Sequence, residues 1–325
     1  MQPAYSASEE YAVSCRELTK KYPPNVVAVN AVNCHIPYHS LFGIIGPDGA
    51  GKSSWLKMIA TLSNPTAGTL SVLGLDPVHE FRKLRKVIGY MPGKFSLYGD
   101  LSVRENLNFF ASVYGTSVEE NYTFIEEIYS RLAPFSKRPA AKLSGGMKQK
   151  LALCCALIHK PELLILDEPT TGVDPVSRQE FWQILRKLRD QNTMTIVVST
   201  PYMDEATRCD RVALMSEGKI LDQDSPQGLI DSFSEPLWAV KANDMGALLK
   251  ALRSMKGIRS SFSFGESNHI TFDEALLSPD SIREELRLQG FSDFSIERIR
   301  PSIEDFYLLA SDLTPTLTDV NNTPL

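Results

Sequence analysis

A glycine-rich stretch at residues 46–53 has the residue types and spacing of a phosphate-binding loop. It reads Gly46-Pro-Asp-Gly-Ala-Gly-Lys-Ser53 and satisfies the pattern GxxxxGK(S/T) between an apolar run and a helical pattern. Backbone N–H groups of such a loop wrap around phosphates, and the following helix N-terminus adds its positive dipole end. Lys52 is expected to neutralise β- and γ-phosphate charge, and the Ser53 hydroxyl to ligate Mg²⁺. The predicted nucleotide-binding residues here are Gly46, Pro47, Asp48, Gly49, Ala50, Gly51, Lys52, Ser53 and Ser54.

An acidic pair follows the apolar run at residues 163–166. A buried strand there would deliver Asp167 to its C-terminal end, where the carboxylate can hold Mg²⁺ through water. Glu168 comes next and is placed to polarise an attacking water. We therefore predict Asp167, together with Ser53, as metal ligands and Glu168 as the catalytic residue.

A second anion site is indicated at Leu143-Ser-Gly-Gly-Met147. Ser144, Gly145 and Gly146 at a helix N-terminus would present a hydroxyl, bare N–H groups and a dipole end. One chain cannot easily use both anion sites on a single nucleotide. The sequence therefore predicts a head-to-tail dimer of two ATPase subunits, with two nucleotides at its interface.

Together these three motifs resemble those of the ABC-transporter ATPases, over roughly residues 11–235. The resemblance implies ATP and Mg²⁺ as cofactors, and a signature (LSGG) that caps the nucleotide of the opposite subunit. It also implies membrane-spanning permease subunits as partners. Tyr22, in ELTKKYPP, matches the aromatic residue that stacks on adenine, and Asp174, in TTGVDP, matches the loop that crosses the dimer interface.

Further stretches are most similar to the export branch of that family, which handles drugs and surface polymers. These are IGYMP with LYGDLSVRENL, the YMDEA segment, and SIEDFYLLASD, which resembles the branch's C-terminal appendage. The chain as a whole resembles the first half of YbhF-type tandem efflux ATPases. An export function is the expectation that follows.

Two positions depart from the family pattern. Gly93 stands where the family has a Gln that reaches Mg²⁺ and the attacking water, and Pro201 stands where it has its switch His. Loss of one oriented donor at a developing charge commonly lowers the rate by about 10²–10³. We predict a site that binds ATP but hydrolyses it slowly, while the signature can still complete a fast site on a partner.

The elements that must position these residues read as an α/β fold, a P-loop NTPase (RecA-like) core with a largely parallel sheet. Predicted strands are Leu41–Gly46, Val87–Met91, Leu163–Asp167 and Met194–Thr200. An inserted helical subdomain is expected at about 94–160, with helices at Asn106–Tyr114, Val118–Leu132 and Ser144–Ile158, the last opened by Ser144 as N-cap. The ATPase domain should span 11–235 after a flexible leader at 1–10.

Beyond it the pattern predicts β-α-β-β-α-β-α, a small α+β ferredoxin-like module at 236–313. Its predicted elements are Leu237–Lys241, Met245–Met255, Ile258–Phe264, His269–Phe272, Pro279–Leu288, Phe294–Ile299 and Ser302–Leu313. A disordered tail is expected at 314–325.

Composition narrows the function further. A formal charge of −5 argues against a surface built to neutralise a nucleic-acid backbone. Five scattered cysteines are expected to be free thiols, with Cys154 and Cys155 in the core. No run approaches the roughly 18 apolar residues of a membrane span, and the first residues do not form a signal peptide. The predicted location is peripheral, on the cytoplasmic face of a membrane, the bacterial inner membrane by expectation.

Three functions stay open at this point. The first is a transporter motor, in which ATP closes the dimer and hydrolysis reopens it. The second is a mainly regulatory nucleotide-binding subunit paired with a competent ATPase, which Gly93 and Pro201 favour. The third, a soluble ABC protein acting on ribosomes or DNA, is disfavoured because the chain carries one cassette and an acidic balance.

Overall fold

The computed structural model describes residues 11–192 and 194–312, with the side chains of Asn192 and Asp312 excepted. The predicted leader (1–10) and tail (314–325) lie outside these ranges. The chain divides into two compact units, the first ending at Pro226 and the second beginning at Gln227.

The first unit alternates strands and helices, as the sequence predicts for an α/β core. In chain order its elements are β1 (Tyr11–Tyr22), β2 (Val26–Pro37), β3 (Leu41–Ile45), α1 (Lys52–Ile59), β4 (Ala67–Val72), α2 (Phe81–Leu84), β5 (Ile88–Met91), α3 (Val103–Val113), α4 (Val118–Tyr129), α5 (Gly145–Leu157), β6 (Leu163–Asp167), α6 (Pro175–Asn192), β7 (Thr195–Thr200), β8 (Arg211–Ser216) and β9 (Lys219–Asp224). The next helix, α7 (Pro226–Asp231), begins at the last residue of this unit and continues into the second.

Six strands form the main sheet in the order β5-β6-β7-β3-β8-β9. All neighbours in it are parallel except β8 and β9, which form an antiparallel pair at one edge. Every residue of β3, β6 and β7 is buried, as expected for parallel strands covered on both faces. The four predicted strands are confirmed to within one residue at each end.

A second, three-stranded antiparallel sheet, ordered β2-β1-β4, had no counterpart among the predicted strands. The second half of β2 alternates buried Val32, Cys34 and Ile36 with exposed residues, as a strand with one face on the core must. Trp55 of α1 lies in one buried cluster with Ile36 of this sheet and Ile165 of the parallel sheet. The helix that follows the phosphate loop therefore belongs to a core shared with both sheets.

The inserted helices begin and end where side chains cap them. A capping box between Ser102 and Glu105 starts α3 at Val103, three residues before the predicted Asn106. The second helix ends at Tyr129, so the prediction of helix to Leu132 was too long. The prediction that Ser144 caps α5 is confirmed, because its hydroxyl accepts a hydrogen bond from the Met147 N–H.

The second unit contains β10 (Leu237–Ala242), α8 (Met245–Ser254), β11 (Ile258–Phe264), β12 (Ser267–Phe272), α9 (Pro279–Leu288), β13 (Phe294–Ile299) and α10 (Ile303–Asp312). The predicted order of elements is confirmed. Its four strands form an antiparallel sheet ordered β11-β12-β10-β13, the arrangement of a split β-α-β module.

A buried hydrogen-bonded pair of side chains ties α10 to that sheet. The Asp305 carboxylate is 3% exposed, lies 2.6 Å from Nδ1 of His269 and accepts hydrogen bonds from the Ser302 N–H and hydroxyl. Burial raises the pKa of Asp305, but the hydrogen bonds from His269 and Ser302 outweigh it and hold the pKa below its ordinary value. Its ionised form therefore stabilises the docked helix.

Two predictions from composition can be compared with the described residues. No helix among them is long and apolar enough to cross a membrane. All five cysteines are free and buried, as predicted, and burial raises the pKa of each thiol. They belong to the core.

Candidate active site

The predicted phosphate loop connects the end of β3 to the start of α1, as its motif requires. Gly51 has a φ of 102°, and a Cβ there would lie 2.1 Å from the Ala28 carbonyl oxygen, so the position needs glycine. The loop borders a cavity of about 170 Å³ lined by Ala28, Gly49, Ala50, Gly51, Lys52, Ser53, Ser54 and Glu168. Gly46, Pro47 and Asp48 lie in the same loop outside this lining.

The Lys52 ammonium is held inside the loop. It donates to the carbonyl oxygens of Gly46 (2.9 Å) and Pro47 (3.0 Å) and lies 3.2 Å from a carboxylate oxygen of Glu168. Only 2% of its side chain is exposed, so its positive charge acts where water screens little. An anion entering the cavity would meet this charge and compete with Glu168 for it.

The predicted metal ligands lie together. The Ser53 hydroxyl donates to Oδ1 of Asp167 at 2.9 Å, and the carboxylate is almost completely buried. A hydroxyl beside a carboxylate suits Mg²⁺, which takes oxygen ligands and fills its remaining positions with water and phosphate. No group of three or more His, Cys, Asp or Glu side chains among the described residues could form an all-protein metal site. Ser53 and Asp167 would hold the ion alongside a bound phosphate.

Ser199 completes this corner and was missed at the level of sequence. Its hydroxyl donates to Oδ1 of Asp167 (2.6 Å) and accepts from the Glu168 N–H (3.0 Å). The sequence did contain a signal for this contact, because Ser199 carries a hydroxyl near the end of a predicted strand. The carboxyl ends of neighbouring parallel strands meet at one edge of a sheet, which would place that hydroxyl near Asp167. The sheet places Ser199 in register with Asp167.

Glu168 adopts an unusual backbone conformation, with a φ of 49°. A residue with a Cβ disfavours this left-handed region. Here it is held by hydrogen bonds from the Glu168 N–H to the carbonyl and hydroxyl oxygens of Ser199. The turn aims the carboxylate at Lys52 and into the cavity. A carboxylate so placed can accept a proton from a water beside the phosphate loop.

The predicted signature lies elsewhere on the chain. Ser144 and Gly145 are exposed, whereas Gly146 packs so closely on the start of α6 that a Cβ would come within 2.6 Å of the Ser177 hydroxyl. Asp174 accepts a hydrogen bond from the Ser177 N–H, which lowers the pKa of Asp174. The structure thus brings the signature next to the Asp174 segment and does not bring either to the phosphate-loop cavity.

Tyr22 is the last residue of β1. Its side chain is 36% exposed, and the Lys20 ammonium lies 5.1 Å from the centre of the ring. It is absent from the cavity lining described above, so its predicted contact with adenine stays a prediction.

The two departures from the family pattern lie just after β5 and β7, the two strands that flank β6 in the sheet. Gly93 follows β5, and a Cβ there would lie 3.0 Å from the Asp167 carbonyl oxygen. Pro201 directly follows β7, where the Thr200 hydroxyl accepts from the Tyr202 N–H. Among the residues that line the described cavity there is no histidine. Neither position offers a side-chain donor to a bound phosphate.

Comparison with known proteins agrees with these features. The family model described as "ABC transporter" matches residues 29–171. The probable multidrug ABC transporter ATP-binding protein YbhF of Escherichia coli (strain K12) is 37% identical over 302 residues, which is 91% of this chain and 51% of the relative. This chain thus spans about half the length of that relative. The Nod factor export ATP-binding protein I of Burkholderia orbicola (strain AU 1054) is 36% identical over 223 residues, covering 68% of this chain and 73% of that protein.

Solved structures resemble about two thirds of the chain. The cbiO1 protein of Clostridium perfringens, part of the ABC transporter complex cbiONQ, aligns with a TM-score of 0.62 at 26% identity, covering 69% of this chain and 92% of that one. The dimeric ATP-binding cassette MJ0796 in a post-hydrolysis state, bound to ADP and Pi, aligns with a TM-score of 0.60 at 26% identity. That match covers 66% of this chain and 98% of the cassette.

Proposed function

The chain belongs to the ATP-binding proteins of ABC transporters, and from that premise we propose that it binds and hydrolyses ATP to drive export through separate membrane subunits. The observation that carries the proposal is the cavity shared by the phosphate loop and Glu168. Lys52 and Glu168 meet across it at 3.2 Å, and Ser53 contacts Asp167 beside it at 2.9 Å.

Each group has a role in this proposal. Lys52 and the loop N–H groups bind the phosphates, and binding releases Glu168 from its ion pair. The freed carboxylate then orients water toward the terminal phosphate and accepts its proton. Mg²⁺, held by Ser53 and Asp167, would neutralise developing negative charge on the phosphates. Tyr22 contributes stacking on adenine.

The proposed partners follow from what the chain exposes. Ser144, Gly145 and Asp174 face solvent and would contact the nucleotide of a second ATPase subunit in a head-to-tail dimer. Phe95 and Tyr98 follow Gly93 within five residues, and the Phe109 ring lies 4.8 Å from the Tyr98 ring between centres. These side chains are 38–50% exposed and offer an apolar contact for a permease subunit. This docking would hold the chain at the cytoplasmic face of the membrane, with no nucleic acid as partner.

We further propose that the site built on Lys52 turns over slowly, because Gly93 and Pro201 supply no donor to the phosphate or the water. The same two residues favour the second candidate, a mainly regulatory subunit whose partner supplies most of the hydrolysis. Its exposed signature would then serve the partner's fast site.

The proposal is tested by purifying the chain from membranes with its associated proteins and measuring ATP hydrolysis by the complex. Co-purification of a permease and ATP-dependent hydrolysis are the expected results. Single-turnover hydrolysis at this chain's own site within the complex separates the motor from the regulatory subunit. A chain that binds no ATP and recovers no membrane protein would contradict both.

A further inference from the structure

A fully buried carboxylate lies just beyond the candidate active site. The Glu205 side chain is 0% exposed and is contacted from three separate segments. The Thr170 hydroxyl lies 2.9 and 3.1 Å from its two oxygens, and the Thr200 hydroxyl lies 2.5 Å from one of them. The guanidinium Nε of Arg178 lies at 3.7 Å.

Burial of a carboxylate is costly unless hydrogen bonds and an opposite charge compensate. Here two threonine hydroxyls, themselves 0–1% exposed, donate to Glu205, and Arg178 supplies the charge. The Arg178 guanidinium also lies 4.1 Å from the centre of the Tyr202 ring. A shift of any one of the three segments alone would remove one partner of the buried Glu205 carboxylate, and a partly satisfied buried network is strongly unfavourable.

Each of these segments carries a residue of the proposed site. Thr170 lies two positions after Glu168, and Thr200 immediately precedes Pro201. Arg178 lies in the first turns of α6, whose start is capped by Asp174. The Glu205 carboxylate is thus the common contact of the catalytic carboxylate's loop, the end of β7 that precedes Pro201 and the dimer-facing segment.

We propose that Glu205 is a positioning residue for ATP hydrolysis, which holds the loops of Glu168 and Pro201 in a fixed arrangement with the Asp174 segment. The inference rests on the proposed function. Because Glu205 contacts all three segments, a movement of the Glu168 loop would also move the Asp174 segment, which in the proposed dimer borders the partner's nucleotide. Glu205 does not line the cavity, so it acts through the loops that it joins.

The test is steady-state ATP hydrolysis by a purified complex whose partner subunit carries an inactivated site, so that kcat reports on this chain's own site. ATP binding is measured on the isolated subunit. Glu205→Gln keeps the side-chain volume and removes the charge. It should lower kcat by about 10- to 100-fold, the range for a small misplacement of reacting groups. The KM for ATP and the stoichiometry of bound ATP should stay within twofold of wild type.

A matched pair reports on the same network if Glu205→Gln fails to fold. Thr170→Ser keeps the hydroxyl and should retain kcat, whereas Thr170→Val is isosteric, lacks the donor and should lower it. The double variant Glu205→Gln with Thr170→Val should have a kcat little lower than that of the worse single variant, because both changes break the same network. Glu127→Gln, which removes an exposed ion pair to Lys187, is the control and should leave kcat unchanged.

Two results would overturn the inference. One is an unchanged kcat in both Glu205→Gln and Thr170→Val. The other is a fall in kcat matched by an equal fall in bound ATP, which indicates loss of folded protein. A wild-type complex that neither binds nor hydrolyses ATP would instead contradict the proposed function.

Discussion

Introducing a histidine at position 201 should accelerate hydrolysis at this chain's own site. Residue 201 follows β7 at the sheet edge where Asp167 and Ser199 meet, so a side chain there can reach the phosphate region. One oriented donor is worth about 10²–10³ in rate, or roughly 3–4 kcal/mol. Replacing proline raises the conformational entropy of the unfolded chain, which lowers the free energy of unfolding by at most about 1 kcal/mol. We expect Pro201→His to raise the single-turnover rate by at least about 10-fold.

The corresponding change at position 93 should help less. A Cβ at Gly93 would lie 3.0 Å from the Asp167 carbonyl oxygen, whereas ordinary van der Waals contact begins at 3.4 Å. The backbone that carries a predicted metal ligand would have to yield before the new amide could act. Gly93→Gln should therefore give less acceleration than Pro201→His. Gly93→Ala adds the Cβ without the amide and isolates the steric part of the effect.

The assay is single-turnover hydrolysis of radiolabelled ATP with Mg²⁺ saturating. The complex is in excess, its partner subunit supplies the signature and the partner's own site is inactivated. Equilibrium binding of a fluorescent ATP analogue is measured beside it. Adding Glu168→Gln to Pro201→His should abolish the gain, which shows that the gain uses this chain's carboxylate. The reasoning is refuted if the wild-type chain already turns over near the median enzyme rate of about 10 s⁻¹. It is equally refuted if Pro201→His binds ATP normally and gains nothing.

Three further expectations concern binding, assembly and stability. Lys52→Ala should weaken Mg-ATP binding strongly, and Tyr22→Ala should weaken it by about 1–2 kcal/mol because stacking on adenine is lost. Titration with a fluorescent ATP analogue measures both affinities. An unchanged affinity in Lys52→Ala would contradict the phosphate-loop assignment. Ser144→Arg should abolish ATPase activity of the reconstituted complex, whereas Glu168→Gln should leave a substantial fraction; equal silencing would contradict a slow site on this chain. Because the folded-state pKa of Asp305 is depressed, its stabilisation is present above the ordinary carboxyl pKa and is lost as pH falls through the folded value. Asp305→Asn should therefore lower the free energy of unfolding by about 1.5–3 kcal/mol at pH 7 and by much less below pH 4. Denaturant titrations at the two pH values measure this difference. An equal loss at both would contradict stabilisation by the ionised carboxylate.

The sequence alone determined those strands and helices that are marked by a pattern of consecutive residues. A run of branched apolar residues closed by glycine or aspartate specifies a buried parallel strand, and the predicted strands match within one residue. Each strand and helix of the second unit could be predicted, because each has the apolar spacing of its type and ends in turn residues. The family followed from the same kind of local information, in three short motifs.

Residues 11–37 show where local pattern was insufficient. Their alternating apolar residues form β1 and β2 of an antiparallel sheet, completed by β4, that no predicted strand included. Which strands pair there depends on partners distant in the chain, and a single strand's pattern does not name its neighbour. The site roles of Tyr22, Ser144 and Asp174 stay predictions, since none of the three residues lines the phosphate-loop cavity.

Only the tertiary structure decided how polar side chains meet around the site. Ser199 reaches Asp167 across 32 positions of sequence, and Thr170 reaches Glu205 across 35. A serine or glutamate in these stretches carries no local mark of such a contact, because its partner is set by the order of strands in the sheet. The phosphate loop could be read from eight consecutive residues because backbone geometry builds it locally, whereas the support of Glu168 exists only once β6 and β7 lie side by side.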